Sequence, residues 1–194
     1  MSNDSLPRSQ HKWESLLNKT LDWEQIYLKP FLTTKDTKLR WFQYRISHKI
    51  LTTNSFLYKI KLRSNDLCTF CLLEPESIVH LFCECEKVKT FWNSLMRWLK
   101  DKCSHIYDLS LDQEFILFGC RNNVYTDKVF DLIILFAKYF IYRCKVKNIS
   151  LNLIHFKSEL HLRYNIEKAI HFGQSTQNKF YSMWMLYHCI FENN

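Results

Sequence analysis

Four residues in the first half of the chain have the types and the spacing of a metal site. Cys68, Cys71, His80 and Cys85 follow the pattern C-x2-C-x8-H-x4-C. Thiolate sulfur and imidazole nitrogen are ligands that Zn²⁺ prefers, and a structural zinc takes four ligands in a closed tetrahedron. A C-x2-C pair binds one ion from a single tight turn, and the spacer lets the chain bring the second pair back to it. The pattern therefore predicts one structural zinc ion bound by these four residues.

The identity of the fourth ligand depends on the local structure after His80. Cys83 lies three residues beyond His80, and Cys85 lies five residues beyond it. In an uninterrupted helix the residue three positions on lies nearer to the face of His80. Cys85 is therefore a ligand only if the helix ends around residues 82–84, and the spacing alone leaves both cysteines open.

The residues around this pattern do not indicate catalysis. A catalytic zinc keeps a position for water and usually has a nearby glutamate as base. His80 is followed by Leu81 and Phe82 rather than by the H-x-E pattern of zinc deaminases. Two glycines are too few for a phosphate-binding loop or a nucleophile elbow. We therefore expect no catalytic residues, and a zinc hydrolase is the least favoured function.

The segment directly before the metal ligands carries the net charge of the chain. Between Lys29 and Arg63, nine basic residues stand against one acid, Asp36, and the net charge of the whole chain is +8. A local excess of this kind favours a polyanionic partner, so we expect RNA or DNA bound mainly through its phosphates. The candidates for phosphate contacts are Lys38, Arg40, Arg45, Lys49, Lys59, Lys61 and Arg63. Trp41 and Tyr44 are candidates for base stacking, with the alternative that Trp41 packs against the zinc-binding lobe.

Composition and periodicity predict a mainly α protein, a helical bundle with a zinc-stapled lobe in its N-terminal half. Glycine and proline are scarce, and strand-rich folds need these residues in their many tight turns. We expect a polar, frayed leader over residues 1–20, a zinc-binding domain over 21–103 and a helical C-terminal region over 104–194. The predicted helices span 22–28 (ended by Pro30), 35–50 (capped by Thr34), 53–60, 77–82 (a turn with His80), 87–100, 127–147, 150–171 (capped by Ser150) and 176–190, with a loop over 64–75 and a short buried segment over 115–118.

The helix over residues 127–147 is expected to be the longest, and most of its circumference is apolar. It contains Asp131 and Lys138, and its apolar window is shorter than the ~20 residues that span a bilayer. Such a helix lies at the centre of a bundle or is covered by a partner, so self-association through 127–147 is an alternative function. The polar start has no signal-peptide pattern, and the cysteines are expected to be thiols. We expect an intracellular protein of the nucleus or cytoplasm, neither secreted nor bound to a membrane.

Several short runs resemble a known family. They are LRWFQYRISHKIL at 39–51, LCTFC at 67–71, HLFCEC at 80–85 and FW at 91–92. Together they resemble the zinc-binding domain that lies downstream of the reverse transcriptase in non-LTR (LINE-type) retrotransposon polyproteins, over residues 22–99. In that family the last ligand follows an H-L-F-W-E pattern, which implies Cys85 here. Cys83 stands where the family usually has tryptophan, and Glu86 stands where proline is common.

The resemblance also implies a biological role. In the parent element such a domain would help to hold template RNA or target DNA during reverse transcription. Endonuclease and polymerase domains would precede it in the complete polyprotein and would be partners of this segment. We therefore expect a fragment that neither polymerises nor cuts nucleic acid by itself.

Overall fold

Helices make up the fold of this computed structural model, which describes residues 7–103, 111–119 and 128–191. Within these ranges the extended backbone forms a single isolated bridge, between Leu67 and Pro75, and no strand. The mainly α prediction is therefore confirmed. The helices are α1 (Arg8–Leu17), α2 (Trp23–Thr33), α3 (Thr37–Ser47), α4 (Asn54–Lys59), a π-helical turn (His80–Glu84), α5 (Glu86–Lys102), α6 (Gln113–Phe118), α7 (Lys128–Lys147), α8 (Leu153–Gly173), α9 (Gln177–Trp184), a 3₁₀ turn (Met185–Tyr187) and α10 (His188–Phe191).

The predicted polar leader is wrong where the structure describes it, because residues 8–17 form helix α1. Trp13 is completely buried and packs edge-to-face on Phe118, with ring centroids 5.2 Å apart. Its indole Nε1 donates a hydrogen bond to the carbonyl oxygen of Ser47, at 3.0 Å. That carbonyl ends α3 and has no helical partner. The side chain of Trp13 thus joins an otherwise polar helix to the core. Residues 1–6 of the predicted leader lie outside the described part.

Replacing Trp13 with phenylalanine is therefore expected to destabilise the protein by about 2 kcal/mol, since the Ser47 carbonyl loses its buried donor and a small cavity remains. Urea unfolding followed by circular dichroism measures this difference. Leu16→Ala is the control, because Leu16 lies on the same helix with an exposed side chain and should change the unfolding free energy by less than about 0.5 kcal/mol. Equal effects of the two substitutions would contradict the packing of α1.

Helices α2 and α3 differ from the predicted boundaries. Helix α2 continues through Pro30 to Thr33 instead of ending before the proline. The guanidinium of Arg40 donates to the carbonyl oxygens of Thr34 (2.6 Å) and Phe31 (3.4 Å), so the last turn of α2 has partners from α3. The N-cap of α3 is Asp36 rather than Thr34, and its carboxylate accepts from the first backbone N–H groups of the helix. Hydrogen bonds from Arg40 of α3 therefore stabilise the end of α2 and offset the helix-breaking effect of Pro30.

Helix α7 lies at the centre of the bundle and is covered by the chain itself. Its side chains from Val129 to Ala137 are all buried, and it contacts α2, α3, α8 and α9. Within the described residues α7 has 20 residues and α8 has 21, and residue 127 of the predicted helix lies outside the described part. No helix in the described ranges has both the length and the apolarity needed to cross a membrane.

Three charged residues of α7 repeat at seven-residue intervals, which places them on one face two turns apart. Asp131 pairs with Lys29 of α2 at 2.7 Å. Lys138 donates from Nζ to Gln43 Oε1 (2.6 Å) and to the carbonyl oxygen of Leu117 (2.9 Å). Lys145 pairs with a buried carboxylate near the metal ligands. This charged stripe therefore faces the rest of the protein rather than solvent.

The remaining helices largely match their predicted positions. Helix α4 begins after its N-cap Thr53, and α6 is a short buried segment that covers residues 115–118. Asn152, not Ser150, caps α8. The helix expected over 176–190 is divided into α9, the 3₁₀ turn and α10. The proposed boundary between residues 103 and 104 adjoins a segment outside the described part, so the domain division stays a prediction.

Candidate metal centre

The structure brings the four predicted metal ligands together. The donor atoms of Cys68, Cys71, His80 and Cys85 all lie within 4.8 Å of one another. Cys68 Sγ and Cys85 Sγ are 3.8 Å apart, and Cys71 Sγ is 3.4 Å from His80 Nε2. A tetrahedral zinc with Zn–S bonds of about 2.3 Å and Zn–N bonds of about 2.0 Å separates two sulfurs by about 3.8 Å and a sulfur from a nitrogen by about 3.5 Å. The cluster thus fits zinc in both ligand chemistry and spacing.

The first cysteine pair lies on the predicted loop, which folds into a tight turn. The Cys68 backbone N–H donates to the carbonyl oxygen of Glu74 at 2.8 Å, and the Leu72 N–H donates to the carbonyl oxygen of Cys68 at 2.9 Å. Leu72 has a positive φ of 59°, which reverses the chain directly after Cys71. The Phe70 N–H points at Cys68 Sγ at 3.4 Å. The turn therefore places both sulfurs on one side and supplies an N–H donor to the sulfur of Cys68.

The second pair depends on a π-helical turn, which decides between Cys83 and Cys85. The turn runs from His80 to Glu84, and the Cys85 N–H donates to the carbonyl oxygen of His80 at 2.9 Å. A π-helical bond joins residues five apart, so Cys85 returns to the side of His80 and the helix ends just before it. Cys83 is outside the cluster, and burial raises the pKa of its thiol to about 12. The structure therefore places Cys85, and not Cys83, in the cluster with His80, as the family resemblance implied.

Hydrogen bonds from neighbouring elements hold this turn in place. Ser77 Oγ accepts from the His80 backbone N–H at 2.9 Å. Trp92 Nε1 on α5 donates to the carbonyl oxygen of Phe82 at 2.8 Å. The aromatic pair at 91–92, which carried part of the family resemblance, thus supports the irregular backbone of the metal turn.

The environment of Cys85 favours its thiolate form. Its pKa is lowered to about 5, first by the hydrogen bond from the Cys68 thiol and then by the backbone N–H groups of Val88 and Lys87. Those groups form the N-terminus of α5, where the helix dipole stabilises negative charge. The shared hydrogen bond and burial raise the pKa of Cys68. A cation bound between the two sulfurs would favour the thiolate form of both cysteines.

Glu76 organises the metal loop, and the sequence analysis missed it. Its carboxylate is fully buried and accepts hydrogen bonds from the backbone N–H groups of Asn54 and Thr69, both at 2.9 Å. Lys145 of α7 lies 3.3 Å from its Oε1 and also donates to the carbonyl oxygen of Thr52 at 2.9 Å. Thr69 lies between the two cysteines of the loop. Glu76 therefore connects the metal loop to α4 and to the central helix. The sequence did not indicate this role, because a single acid between Pro75 and Ser77 belongs to no periodic pattern or motif.

The predicted phosphate contacts divide into exposed residues and residues engaged within the protein. Lys38, Lys59 and Lys61 are exposed. The Arg40 guanidinium donates to the carbonyl oxygen of Thr34 at the end of α2, and the Arg63 guanidinium donates to Asn54 Oδ1.

The other two predicted cations lie over aromatic rings. Lys49 donates from Nζ to the carbonyl oxygen of Lys12 at 3.1 Å and lies over the ring of Trp13 at 4.2 Å. The Arg45 guanidinium lies 5.8 Å from the ring centroid of Tyr142. Internal contacts thus reduce the freedom of several of the predicted cations.

The two candidate stacking residues lie side by side on the outer face of α3. Trp41 and Tyr44 stack with ring centroids 5.0 Å apart and an interplanar angle of 8°. They are 58% and 43% exposed, so Trp41 does not pack into the zinc-binding lobe. Both candidate stacking rings are thus open to solvent on the outer face of α3.

Comparison with known proteins finds a family to which part of the chain is similar. No curated protein matches the chain significantly. The family described as zinc-binding in reverse transcriptase matches residues 8–92, which include all four residues of the cluster as well as α1. The resemblance inferred from the sequence is thereby confirmed over residues 8–92, which make up less than half of the chain.

Proposed function

We propose that Cys68, Cys71, His80 and Cys85 bind one zinc ion, and that its role is structural. The single observation that carries this proposal is the convergence of four donor atoms within 4.8 Å of one another. Four protein ligands fill a tetrahedron, which is the arrangement of structural rather than catalytic zinc sites. The ion would join the loop that carries Cys68 and Cys71 to the π-helical turn that precedes α5.

We further propose that the zinc-stabilised module binds nucleic acid, RNA or DNA, as part of a non-LTR retrotransposon reverse transcriptase polyprotein, and that it has no catalysis of its own. The family match and the excess of basic residues before the ligands support this proposal. The exposed lysines Lys38, Lys59 and Lys61 supply phosphate contacts, because their ammonium groups are open to solvent. Binding then depends mainly on charge.

Fluorescence anisotropy with a labelled 20-nucleotide RNA tests this proposal. The logarithm of the association constant should fall linearly with the logarithm of salt concentration, with a slope of about −0.7 per phosphate contact. Replacing Lys38, Lys59 and Lys61 together with glutamine should reduce the magnitude of the slope by about 2. The charge-matched control replaces the exposed lysines Lys102, Lys147 and Lys179 and should keep the slope. Absent or salt-insensitive binding would remove the proposal.

Self-association through residues 127–147 remains the alternative, together with contacts to upstream polyprotein domains. The described part of this helix is packed within the chain, so the apolar surface that motivated the alternative is already covered. Sedimentation equilibrium discriminates between the two functions, since a concentration-dependent dimer without nucleic-acid binding would favour self-association. A nuclear or cytoplasmic location is part of the same proposal.

A further inference from the structure

Four aromatic rings form a continuous row along the outer side of α3. We define this aromatic row as Trp41, Tyr44, His48 and Tyr27. Trp41 stacks on Tyr44, and the ring centroids of Tyr44 and His48 are 4.1 Å apart. The His48 ring in turn stacks on Tyr27, with ring centroids 5.4 Å apart and an interplanar angle of 14°. Burial lowers the pKa of His48, so its ring is mainly neutral at pH 7 and resembles the other rings of the row.

The row has an open end at Trp41. Tyr44 covers one face of the indole, yet Trp41 keeps 58% of its surface exposed. A large apolar ring held in a fixed orientation by its neighbour is a preformed platform for another flat ring. Every nucleobase offers such a face, and base–aromatic stacking is tolerant of sequence. Bases inside a duplex are already stacked on one another, so an unpaired base suits this platform better.

A shallow, open cationic cleft lies between α1 and the residues that follow α3, and it includes the neighbour of His48 in the chain. The cleft has a volume of about 500 Å³ and is lined by His11, Lys12, Ser15, Leu16 and Lys49. Lys49 follows His48 directly in the chain. Its pKa is lowered by burial and then by the positive charge of Lys12, and an anion between the two lysines would relieve that repulsion.

The platform and the cleft are separated by a distance that suits a short strand. From Trp41 to Ser47, the last residue of α3, the helix rises by about 9 Å at 1.5 Å per residue, and Lys49 lies two residues beyond that end. Stacked nucleotides advance by about 3.4 Å each, so about three nucleotides cover that rise. The chemistry along the path is aromatic at one end and cationic at the other, which is the combination used by proteins that bind single strands.

We propose that this face binds single-stranded nucleic acid, with an unpaired base stacked on Trp41 and a backbone phosphate held between Lys12 and Lys49. The inference rests on the nucleic-acid binding proposed above and narrows its substrate to unpaired strands. It also brings in α1, whose residues carry part of the cleft. RNA and DNA share the two features that are recognised, so both single strands bind.

Anisotropy titrations with a 12-nucleotide single strand, as DNA and as RNA, and with a blunt 12-base-pair DNA duplex test the inference. The wild-type protein should bind both single strands at least about tenfold more tightly than the duplex. Trp41→Ala should weaken single-strand binding by about tenfold and leave duplex binding unchanged, whereas Trp41→Phe should retain most of the affinity. Phe172→Ala is the matched control, because Phe172 is an exposed aromatic residue of α8, and it should change neither affinity.

A second variant tests the cleft. Lys12→Gln should weaken single-strand binding and reduce the magnitude of the salt slope by about 0.7, the value for one phosphate contact on a single strand. Equal affinity for duplex and single strands, unaffected by Trp41→Ala, would overturn the inference while leaving nucleic-acid binding intact. Absence of binding to all three probes would instead overturn the proposed function. Circular dichroism of each variant confirms that the fold is retained.

Discussion

Cys68→Ser and Cys85→Ser are each expected to abolish stoichiometric zinc binding and to unfold the region around the metal loop, whereas Cys83→Ser should retain both zinc and fold. A structural zinc in a small domain supplies on the order of 10 kcal/mol of folding free energy. Whole domains are stable by only about 5–15 kcal/mol, so loss of the ion exceeds what the surrounding contacts replace. Metal analysis of the purified protein and thermal unfolding by circular dichroism measure the two effects.

Cys83 is a matched control for these substitutions. It lies in the same π-helical turn as His80, within two residues of Cys85, but its sulfur is outside the cluster. A chelator should lower the melting temperature of the wild type and of Cys83→Ser alike. An unchanged melting temperature after chelation, or zinc loss in Cys83→Ser as complete as in Cys85→Ser, would contradict the assignment of the ligands.

Glu76→Gln is expected to destabilise the protein by about 3–5 kcal/mol, because one partner of a buried ion pair is removed and the other stays buried. Both carboxylate oxygens accept backbone N–H groups, from Asn54 and from Thr69. A glutamine side chain replaces one acceptor with an NH₂ group that faces a donor, and Lys145 loses its counter-charge. Because Thr69 lies inside the C-x2-C turn, zinc should also be bound more weakly. Urea unfolding and competition with a chromogenic chelator measure the two effects.

Two further variants separate the role of Glu76 from a general charge effect. Glu74→Gln removes an exposed carboxylate from the same loop and should change stability by less than about 0.5 kcal/mol. Lys145→Met combined with Glu76→Gln should cost less than the sum of the two single changes, since neither charge is then left alone. Additive effects, or a Glu74 variant as unstable as the Glu76 variant, would contradict the coupling between the metal loop and α7.

Local features of the chain were predictable wherever the cause lies within a few residues. The period of apolar residues located most helices. The end of α2 was not predictable in this way. Proline stops an isolated helix, but the guanidinium of Arg40 supplies donors to the last carbonyls of α2 from outside it.

Part of the candidate site was predictable, and part was not. The residue types and spacing identified the metal ligands, but spacing alone left Cys83 and Cys85 open. A π-helical bond within the turn, supported by Trp92 from the next helix, places Cys85 beside His80. The charge excess also identified a basic segment without showing which cations are free, since Arg40, Lys49 and Arg63 have partners inside the protein.

The sequence by itself determined the mainly α class, three of the four donor groups and the basic segment before the metal ligands, because each follows from residue type and short-range spacing. Only the tertiary structure decided that α1 joins the core through Trp13, that the charged stripe of α7 points inward, and that Glu76 meets Lys145. These contacts join residues far apart in the chain, and their energies depend on burial and on partner geometry. No local pattern carries that information, so the packing of the helices supplies it.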